Sequence, residues 1–327
     1  IRETLATLGD DVEIEVIQDN IMLGSGEPGA YVHRMEKEGP EWMEPQADVM
    51  TALPDKDVLL VHWAGVNSKM IDQGKNLKFI GAMRSGFEHI NKAYAESKGI
   101  TVMNSPGRLA DSVADLTLAF LLSETRGIVR RNLGNPDHTY RNQEKYDDSS
   151  SRPLRMLKIG LIGFGIIAQQ VAKRLKACNS TVMAYDPYCD DDVFQKAGVK
   201  RVELDELLRA SDAVSMHVRL SDDNRGMIGK AEFEKMKPTA IFINTARGGL
   251  VDEEALIWAL QNKVIRGAGL DVFAQEPPDP ENPLFRMDNV TATSHIGGVF
   301  NGMLQLSCSI IVNSLREFLE NQKECVR

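Results

Sequence analysis

Positive charge is scarce: 38 Lys and Arg stand against 47 Asp and Glu, a net charge of −9. A nucleic-acid binder usually carries a basic excess concentrated on one face, so no nucleic-acid partner is expected. Long apolar runs are missing too. None approaches the roughly 18 residues of a transmembrane helix, so no membrane partner is expected either. The opening Ile1-Arg-Glu-Thr-Leu-Ala-Thr-Leu8 has neither the basic start nor the apolar stretch of a signal peptide. It also begins without Met, as a trimmed or partial chain would. Cysteine is sparse: Cys178, Cys189, Cys308 and Cys325 form no C-x-x-C pair and have no His at metal-ligand spacing. No metal site is therefore expected, and four cysteines in a chain this size make no disulfide framework. The expectation is reduced thiols, with Cys178 packed on a helix, in a soluble cytoplasmic protein.

What is present is the composition of an ordinary globular chain. The hydrophobic share is 43% and the charged share 26% over 327 residues, a length that suggests about two domains. From Lys158 to Thr293 short apolar runs alternate with helical stretches. Strands are expected at Lys158 to Ile162, Thr181 to Tyr185, Ala213 to Val218, Ala240 to Asn244, Gly267 to Val272 and Val290 to Thr293. Between them, helices are expected at Ile166 to Cys178, Val202 to Ala210, Lys230 to Met236 and Asp252 to Gln261. Strands alternating with helices require a parallel sheet covered on both faces, because parallel strands need long crossovers. The fold class is therefore α/β, with a doubly wound domain.

The first hundred residues repeat that rhythm more weakly, with strands expected at Val58 to Val61, Lys78 to Ala82 and Ile100 to Met103. Val299 to Leu319 reads as one long helix with Ile311, Leu315 and Phe318 along a stripe. One helix cannot form a core alone, so it is expected to return to the first domain, which makes the second an insertion. Residues 1–104 and 299–327 then form one domain, and 105–298 the other. Asn132 to Pro153, rich in Asn, Asp, Ser and Arg, reads as a long loop.

Gly163-Phe-Gly165-Ile166-Ile167-Ala168 follows a strand and opens a helix, the G-x-G-x-x-G/A pattern in its required context. Gly163 permits the tight turn, Gly165 lets the backbone approach a pyrophosphate, and Ala168 keeps the helix close to the sheet. The helix N-terminus adds free N–H groups and partial positive charge. Asp186 stands at the end of the next strand, where a carboxylate accepts from ribose hydroxyls and repels a 2′-phosphate. The expected cofactor is NAD rather than NADP.

Three ionisable residues stand at or just past strand ends: Arg247 in Asn244-Thr245-Ala246-Arg247-Gly, Glu276 in Leu270-Asp271-Val-Phe-Ala-Gln-Glu276-Pro, and His295 in Thr293-Ser-His295-Ile-Gly297-Gly. In open α/β sheets the ligand crevice lies at the carboxyl ends of the strands, so the three can converge there. Oxidation of a 2-hydroxy acid needs a cation for the carboxylate and the C2 oxygen, and a base for the hydroxyl proton. Arg supplies the bidentate fork, His is the usual base near neutral pH, and a nearby Glu stabilises its cation.

These segments, together with Gly81-Ala-Met-Arg84-Ser85-Gly86 and Asn104-Ser-Pro-Gly107, resemble the signatures of the D-isomer-specific 2-hydroxyacid dehydrogenase family, which includes D-3-phosphoglycerate dehydrogenase. The resemblance implies a Rossmann nucleotide-binding domain inserted into a smaller flavodoxin-like α/β substrate domain. It implies an NAD-dependent enzyme interconverting a D-2-hydroxy acid and its 2-keto acid. Arg247 would hold substrate, His295 would be the acid/base and Glu276 its partner, with the backbone around Ser85 and Gly86 on the substrate carboxylate; Arg84 is a substrate-binding candidate for a phosphate or second carboxylate, or else an exposed loop arginine with no ligand. Ile166, Ile167, His217, Val218, Arg219, Thr245, Ala246 and Gly297 would line the NAD site, with Asp271 on the nicotinamide carboxamide. The family is typically a homodimer through its nucleotide domains, which gives the loop from Asn132 to Pro153 an interface role. The alternative is an NAD(H)-sensing binding protein of the C-terminal-binding corepressor type, which shares the fold and a similar triad.

Two departures stand out, and one residue that keeps the pattern excludes a branch. The loop Arg84-Ser-Gly-Phe87-Glu88-His89 replaces an Ala-Gly-Val-Gly type segment over the substrate, which argues against phosphoglycerate itself. His217-Val218-Arg219 replaces His-Val-Pro, so Arg219 is placed to stack on the adenine. Glu276 stands where the formate dehydrogenase branch carries an amide.

Overall fold

The computed structural model describes residues 1–9, 12–18, 31, 34–35, 37–129 and 152–325. The chain divides into two compact units, Ile1–Arg108 with Phe300–Arg327, and Leu109–Val299.

In the smaller unit, β1 (Val58–Val61), β2 (Phe79–Ala82) and β3 (Thr101–Asn104) form a parallel sheet in the order β1-β2-β3. Successive side chains point to opposite faces of a strand. Ile80, Ala82, Val61 and Val102 accordingly join one core, with Met70 and Ile71 of the helix Ser68–Gln73 and Ala95 of the helix Lys92–Ser97. Phe79 faces the other way, against Leu5 and against Cys308, Ile311, Val312 and Leu315 of the helix Met303–Cys325. Gly81 lets that helix come close: a Cβ there would lie 2.6 Å from Leu60 Cδ2 and 2.7 Å from Ile311 Cγ1. The final helix thus completes the core of the first unit. It starts at Met303, four residues later than its hydrophobic stripe suggests, after Gly302 at φ +94°.

The larger unit carries seven parallel strands: β4 (Lys158–Ile162), β5 (Thr181–Tyr185), β6 (Lys200–Arg201), β7 (Ala213–Met216), β8 (Ile241–Asn244), β9 (Gly267–Leu270) and β10 (Val290–Ala292). Their order, β10-β9-β8-β7-β4-β5-β6, runs outward from β4 in both directions, which is the Rossmann order with a switch point between β4 and β7. Ile159, Leu161, Ile241 and Ile243 pack on one face, under the helices Ala110–Arg126 and Ile166–Ala177. Ile162, Val214, Met216, Phe242 and Leu270 pack on the other, against Leu207, Phe233, Leu256 and Leu260. The doubly wound α/β class is therefore what the chain adopts.

The helix Ala110–Arg126 is absent from the strand-and-helix reading of the sequence. Its Val113, Ala114, Thr117, Phe120, Leu121 and Glu124 nevertheless form a buried stripe at helical spacing, and Gly127 at φ +62° ends it. Cys178 is exposed at the C-terminal cap of its helix rather than packed on it. Cys189 and Cys308 are also free thiols. Most of the expected loop from Asn132 to Pro153 lies outside the described residues. No helix among the described residues is long and apolar enough to cross a membrane.

Candidate active site

At the switch point, the chain leaves β4 through Gly163 at φ +89°, a conformation that side-chain-bearing residues rarely adopt. A Cβ there would also lie 2.7 Å from the His217 carbonyl oxygen and 3.0 Å from Val218 Cγ2. Glycine is required twice over, by conformation and by the approach of the loop after β7. Gly165 is the opposite case, with no atom within 4 Å of a Cβ. It caps the helix Ile166–Ala177 without a side-chain hydrogen bond, so first-turn N–H groups are left for a ligand oxygen. Ile166 is exposed beside this turn, Ile167 is half-buried, and Ala168 is fully buried against the sheet.

Asp186, past β5, ties the glycine turn down. One carboxylate oxygen accepts from the Phe164 N–H at 2.8 Å, and the other from the N–H groups of Tyr188 at 2.9 Å and Cys189 at 3.2 Å. A tight left-handed turn, an open glycine and an uncapped helix start beside a strand-end carboxylate fit a dinucleotide. After β7, the His217 imidazole is pushed down to about 3 by burial and is neutral, while Arg219 is exposed.

At the end of β8, Asn244 is buried and holds the next turn. Its Oδ1 accepts from the Ala246 N–H at 3.0 Å, and its Nδ2 donates to the Arg247 carbonyl at 3.0 Å. The Arg247 guanidinium, exposed, donates to the Ala246 carbonyl at 2.7 Å. Gly248 then seats this turn on the loop past β9, since a Cβ would lie 1.9 Å from the backbone carbonyl of Phe273. Thr245 turns its hydroxyl inward: Thr117 donates to Val113 O at 2.8 Å, so Thr245 donates to Thr117 Oγ1 at 2.9 Å.

His295 sits at φ +55°, in left-handed backbone. The device that holds it there is Asp271, 1% exposed. Its Oδ1 accepts from Thr293 Oγ1 at 2.6 Å and the Ile296 N–H at 2.8 Å, and its Oδ2 from the Gly297 N–H at 2.8 Å. The Asp271 carbonyl accepts the His295 N–H at 2.8 Å. A Cβ on Gly297 would crowd Asp271 Oδ2 at 2.9 Å. Strained backbone persists where its surroundings over-determine it, and four hydrogen bonds to one residue do that here. Reading the sequence assigned Asp271 to a ligand contact and missed this bracket, because nothing in the spacing of Asp271 and His295 records that their backbones meet.

His295 Nδ1 lies 2.6 Å from Glu276 Oε2, and Glu276 Oε1 accepts the Phe273 N–H at 3.1 Å. The hydrogen bond to Glu276 raises the His295 pKa above its ordinary value, against burial and the Arg247 charge. Burial would raise the Glu276 pKa, but the hydrogen bond and charge of His295, the Phe273 N–H and the Arg247 charge together hold it below the usual carboxylate range. Arg247, Glu276 and His295 are thus brought together, the last two in contact and the first within electrostatic reach. Glu276 occupies Nδ1, which leaves Nε2 to exchange a proton with a reacting oxygen.

In the smaller unit the loop past β2 carries Arg84, Ser85 and Gly86. Ser85 is exposed and its carbonyl accepts from Asn104 Nδ2 at 2.5 Å. Gly86 has its open face covered by Glu88, whose Oε2 lies 1.9 Å from where a Cβ would be.

A fold of this order with this site defines an NAD-binding dehydrogenase class, and comparison with known proteins agrees. Residues 118–297 match the family model described as the D-isomer specific 2-hydroxyacid dehydrogenase, NAD binding domain. The chain is 39% identical over 255 residues to a hydroxypyruvate reductase of Thermotoga maritima, covering 76% of this chain and 80% of that one. It is 39% identical over 231 residues to a D-3-phosphoglycerate dehydrogenase of Archaeoglobus fulgidus, covering 71% of this chain but only 43% of that protein's length. The NAD-complexed D-isomer specific 2-hydroxyacid dehydrogenase of Lactobacillus delbrueckii ssp. bulgaricus superposes with a TM-score of 0.74 at 25% identity, over 90% of this chain and 94% of that one. The chain belongs to the D-isomer-specific 2-hydroxyacid dehydrogenase family, and the family's dinucleotide is NAD.

Proposed function

We propose that this protein is an NAD-dependent oxidoreductase that interconverts a D-2-hydroxy acid and its 2-keto acid. The observation that carries the reading is the Glu276–His295 pair at 2.6 Å, beside Arg247, at the carboxyl ends of β8 to β10. Residues 105–298 would hold NAD, and 1–104 with 299–327 most of the substrate's carbon chain.

Gly163, Gly165, Ile166 and Ile167 would cradle the pyrophosphate, with Asp186 on the adenosine ribose. His217, Val218 and Arg219 would border the adenine, and Thr245, Ala246 and Gly297 would offer backbone to the rest. Asp271 acts through His295 by holding its loop. Bound NAD supplies the two-electron chemistry, taking up a hydride in its oxidised form and giving one in its reduced form. Everything else falls to this chain. Arg247 grips the substrate carboxylate and polarises the C2 oxygen, and a planar guanidinium suits both tasks. The Ser85 and Gly86 backbone would also contact the substrate carboxylate, and Arg84 is a substrate-binding candidate on the same loop.

In oxidation, neutral His295 takes the hydroxyl proton at Nε2, and Glu276 stabilises the imidazolium that forms. In reduction, protonated His295 returns that proton to the C2 oxygen. Only the D-isomer presents carboxylate, oxygen and C2 hydrogen in the required order together. The same reading implies a cytoplasmic homodimer formed through the larger units, which light scattering on the purified protein checks as to assembly.

The test is NADH consumption with glyoxylate, pyruvate, hydroxypyruvate and phosphohydroxypyruvate, repeated for His295→Asn, with NADH binding followed by fluorescence. Turnover of at least one acid by the wild type, lost in the variant with NADH binding intact, supports the reading. NADH binding without turnover of any acid would assign a sensor instead.

A further inference from the structure

Between the end of β9 and the short 3₁₀-helix Pro283–Arg286, residues 271–282 carry no regular secondary structure, and Glu276 stands in the middle of them. A stretch of that length samples many conformations unless it is tied down. Glu276 does not itself anchor it to the body of the unit. Its Oε1 accepts from Phe273 on the same loop at 3.1 Å, and its Oε2 meets His295.

The anchor is Glu253, the first residue of the helix Glu253–Gln261. Its Oε2 accepts the Ala274 N–H at 2.9 Å, and its Oε1 accepts from Asn282 Nδ2 at 2.8 Å. Ala274 precedes Glu276 and Asn282 follows it, so one carboxylate spans the neck of the loop. The Phe273 and Phe285 rings close the same neck, with 5.0 Å between centroids. The helix does not need Glu253 for its own start. Asp252 already supplies that cap, accepting the Ala255 N–H at 3.1 Å.

The tie demands a carboxylate. Asn282 Oδ1 accepts the Leu284 N–H at 3.0 Å, where it caps the 3₁₀-helix, and Leu284 is 1% exposed in the core. The amide is thereby prevented from turning over, and it presents Nδ2 to Glu253. Ala274 presents a donor as well. Two acceptor oxygens on one side chain satisfy both, and a helix N-terminus favours the negative charge they carry. The same helix follows directly on the turn of Arg247, through Gly248–Leu250. Gly248 seats that turn against the Phe273 carbonyl. Arg247 and Glu276 are therefore referred to one rigid element.

We propose that Glu253 is a positioning residue for the proton transfer: by tying Ala274 and Asn282 to its helix, it holds Glu276 against His295 and in register with Arg247. It acts through Glu276, and the proposal rests on the dehydrogenase reading only for the reaction it serves.

The experiment compares Glu253→Gln, Glu253→Asp and Asn282→Asp with the wild type and with Glu276→Gln. Glutamine keeps the length but has one acceptor oxygen, so one tie is lost. Aspartate at 253 keeps the charge and falls one methylene short. Asn282→Asp retains the Leu284 cap and sets carboxylate against carboxylate, which breaks the tie from the other side. The first readout is the His295 imidazole pKa, from an NMR titration of the NAD-bound protein. The hydrogen bond to Glu276 is the largest cause raising it, while Arg247 and Asp271, the other charges acting on it, are untouched by these variants. The pKa should fall in each variant, in the direction of the Glu276→Gln shift and short of it.

The second readout is kcat/KM for keto-acid reduction against pH. Glu253→Gln should lower it roughly tenfold at neutral pH, short of the 10²-fold cost of about 1 Å of misplacement. Its falling limb should move to lower pH, with NADH affinity unchanged. Added to Glu276→Gln, Glu253→Gln should cost little more, because residues that act through one another are not additive. A merely structural residue would lower kcat/KM alike at every pH and add its loss in full. Should Glu253→Gln fail to fold, Asn282→Asp carries the test. A lowered His295 pKa in a wild type and variant pair that reduces no keto acid supports the positioning and fails the dehydrogenase reading alone. Turnover by the wild type, with the His295 pKa unchanged in both Glu253→Gln and Asn282→Asp, overturns the positioning and leaves that reading standing.

Discussion

The two units differ in how they hold the polar groups at their strand ends, with His217 Nε2 past β7, buried and without a partner, the larger unit's exception. In the larger unit, the carboxylates of Asp186, Asp271 and Glu276 and the amide of Asn244 are all engaged by named backbone or side-chain partners. In the smaller unit, the comparable strand ends carry His89 with two unpartnered ring nitrogens and Arg108 with an unpartnered Nε. A satisfied polar network is rigid and specifies one geometry, whereas an unsatisfied one is costly until a ligand completes it. The lesson is a difference in finish: the carboxylates at the larger unit's strand ends are held in advance by the chain itself, whereas the smaller unit leaves buried His89 and Arg108 nitrogens at the same edge without a partner among the described residues.

The sharpest way to break that contrast is to remove the proton. His295→Asn should lower kcat by roughly 10²- to 10⁴-fold, with NADH affinity nearly unchanged, as stopped-flow kinetics beside fluorescence titration would show. If activity stays near wild type, preorganisation in the larger unit has nothing to act through.

Asp271→Asn comes next. An amide cannot accept from Thr293, Ile296 and Gly297 at once with both of its polar atoms, so the His295 loop should relax out of its left-handed turn. Displacement of a reacting group by about 1 Å costs roughly 10²-fold; kcat should fall toward that value with KM changed much less. A KM effect with kcat intact would assign Asp271 to ligand contact instead.

Gly163→Ala should destabilise by about 1–3 kcal/mol for the unfavourable φ alone, with the 2.7 Å approach to the His217 carbonyl adding to it. Thermal melting and NADH titration read this, and an unchanged melting temperature contradicts it. Gly165→Ala, with open space around it, should leave the melting temperature near wild type while weakening NADH binding, because the ligand uses the space that the fold does not.

The smallest effect is expected at Asp186. Asp186→Ala removes both the anion that disfavours a 2′-phosphate and the anchor of the Phe164 N–H. NAD binding should weaken several-fold and the rejection of NADP should relax. If the wild type uses NADPH with equal kcat/KM, Asp186 does not select the cofactor.

Much of the larger unit was legible in the sequence because its signals are local. A strand running into Gly163-Phe-Gly165, followed by an apolar stripe at Val171 and Leu175, declares a βα unit within one short segment. Asp186 and the Arg247, Glu276 and His295 positions follow from strand ends. The helix Ala110–Arg126 was less visible, since Thr117, Glu124 and Thr125 place polar atoms on its buried face. Their partners, Thr245 for Thr117 and Thr291 for Glu124, lie far along the chain. β6 spans two exposed residues, too few for a period. Asp271's bracket and the tie from Glu253 to the Glu276 loop were illegible for a related reason: each depends on which atoms meet after folding, and residue spacing carries no record of that.

The central claim is that Glu276 tunes His295 for proton transfer, and pH tests it directly. The raised His295 pKa keeps the imidazole charged to a higher pH than an unperturbed histidine. Reduction needs that charged form, so kcat/KM for keto-acid reduction should hold at low and neutral pH and fall as pH rises through the raised pKa. Glu276→Gln removes the largest cause of the shift and leaves burial and Arg247, both of which lower the pKa. The measurement is the pH profile of kcat/KM for the best keto acid in wild type and Glu276→Gln, with NADH saturating. The falling limb should move to lower pH in the variant; superimposable profiles would remove Glu276 from the mechanism and contradict the account.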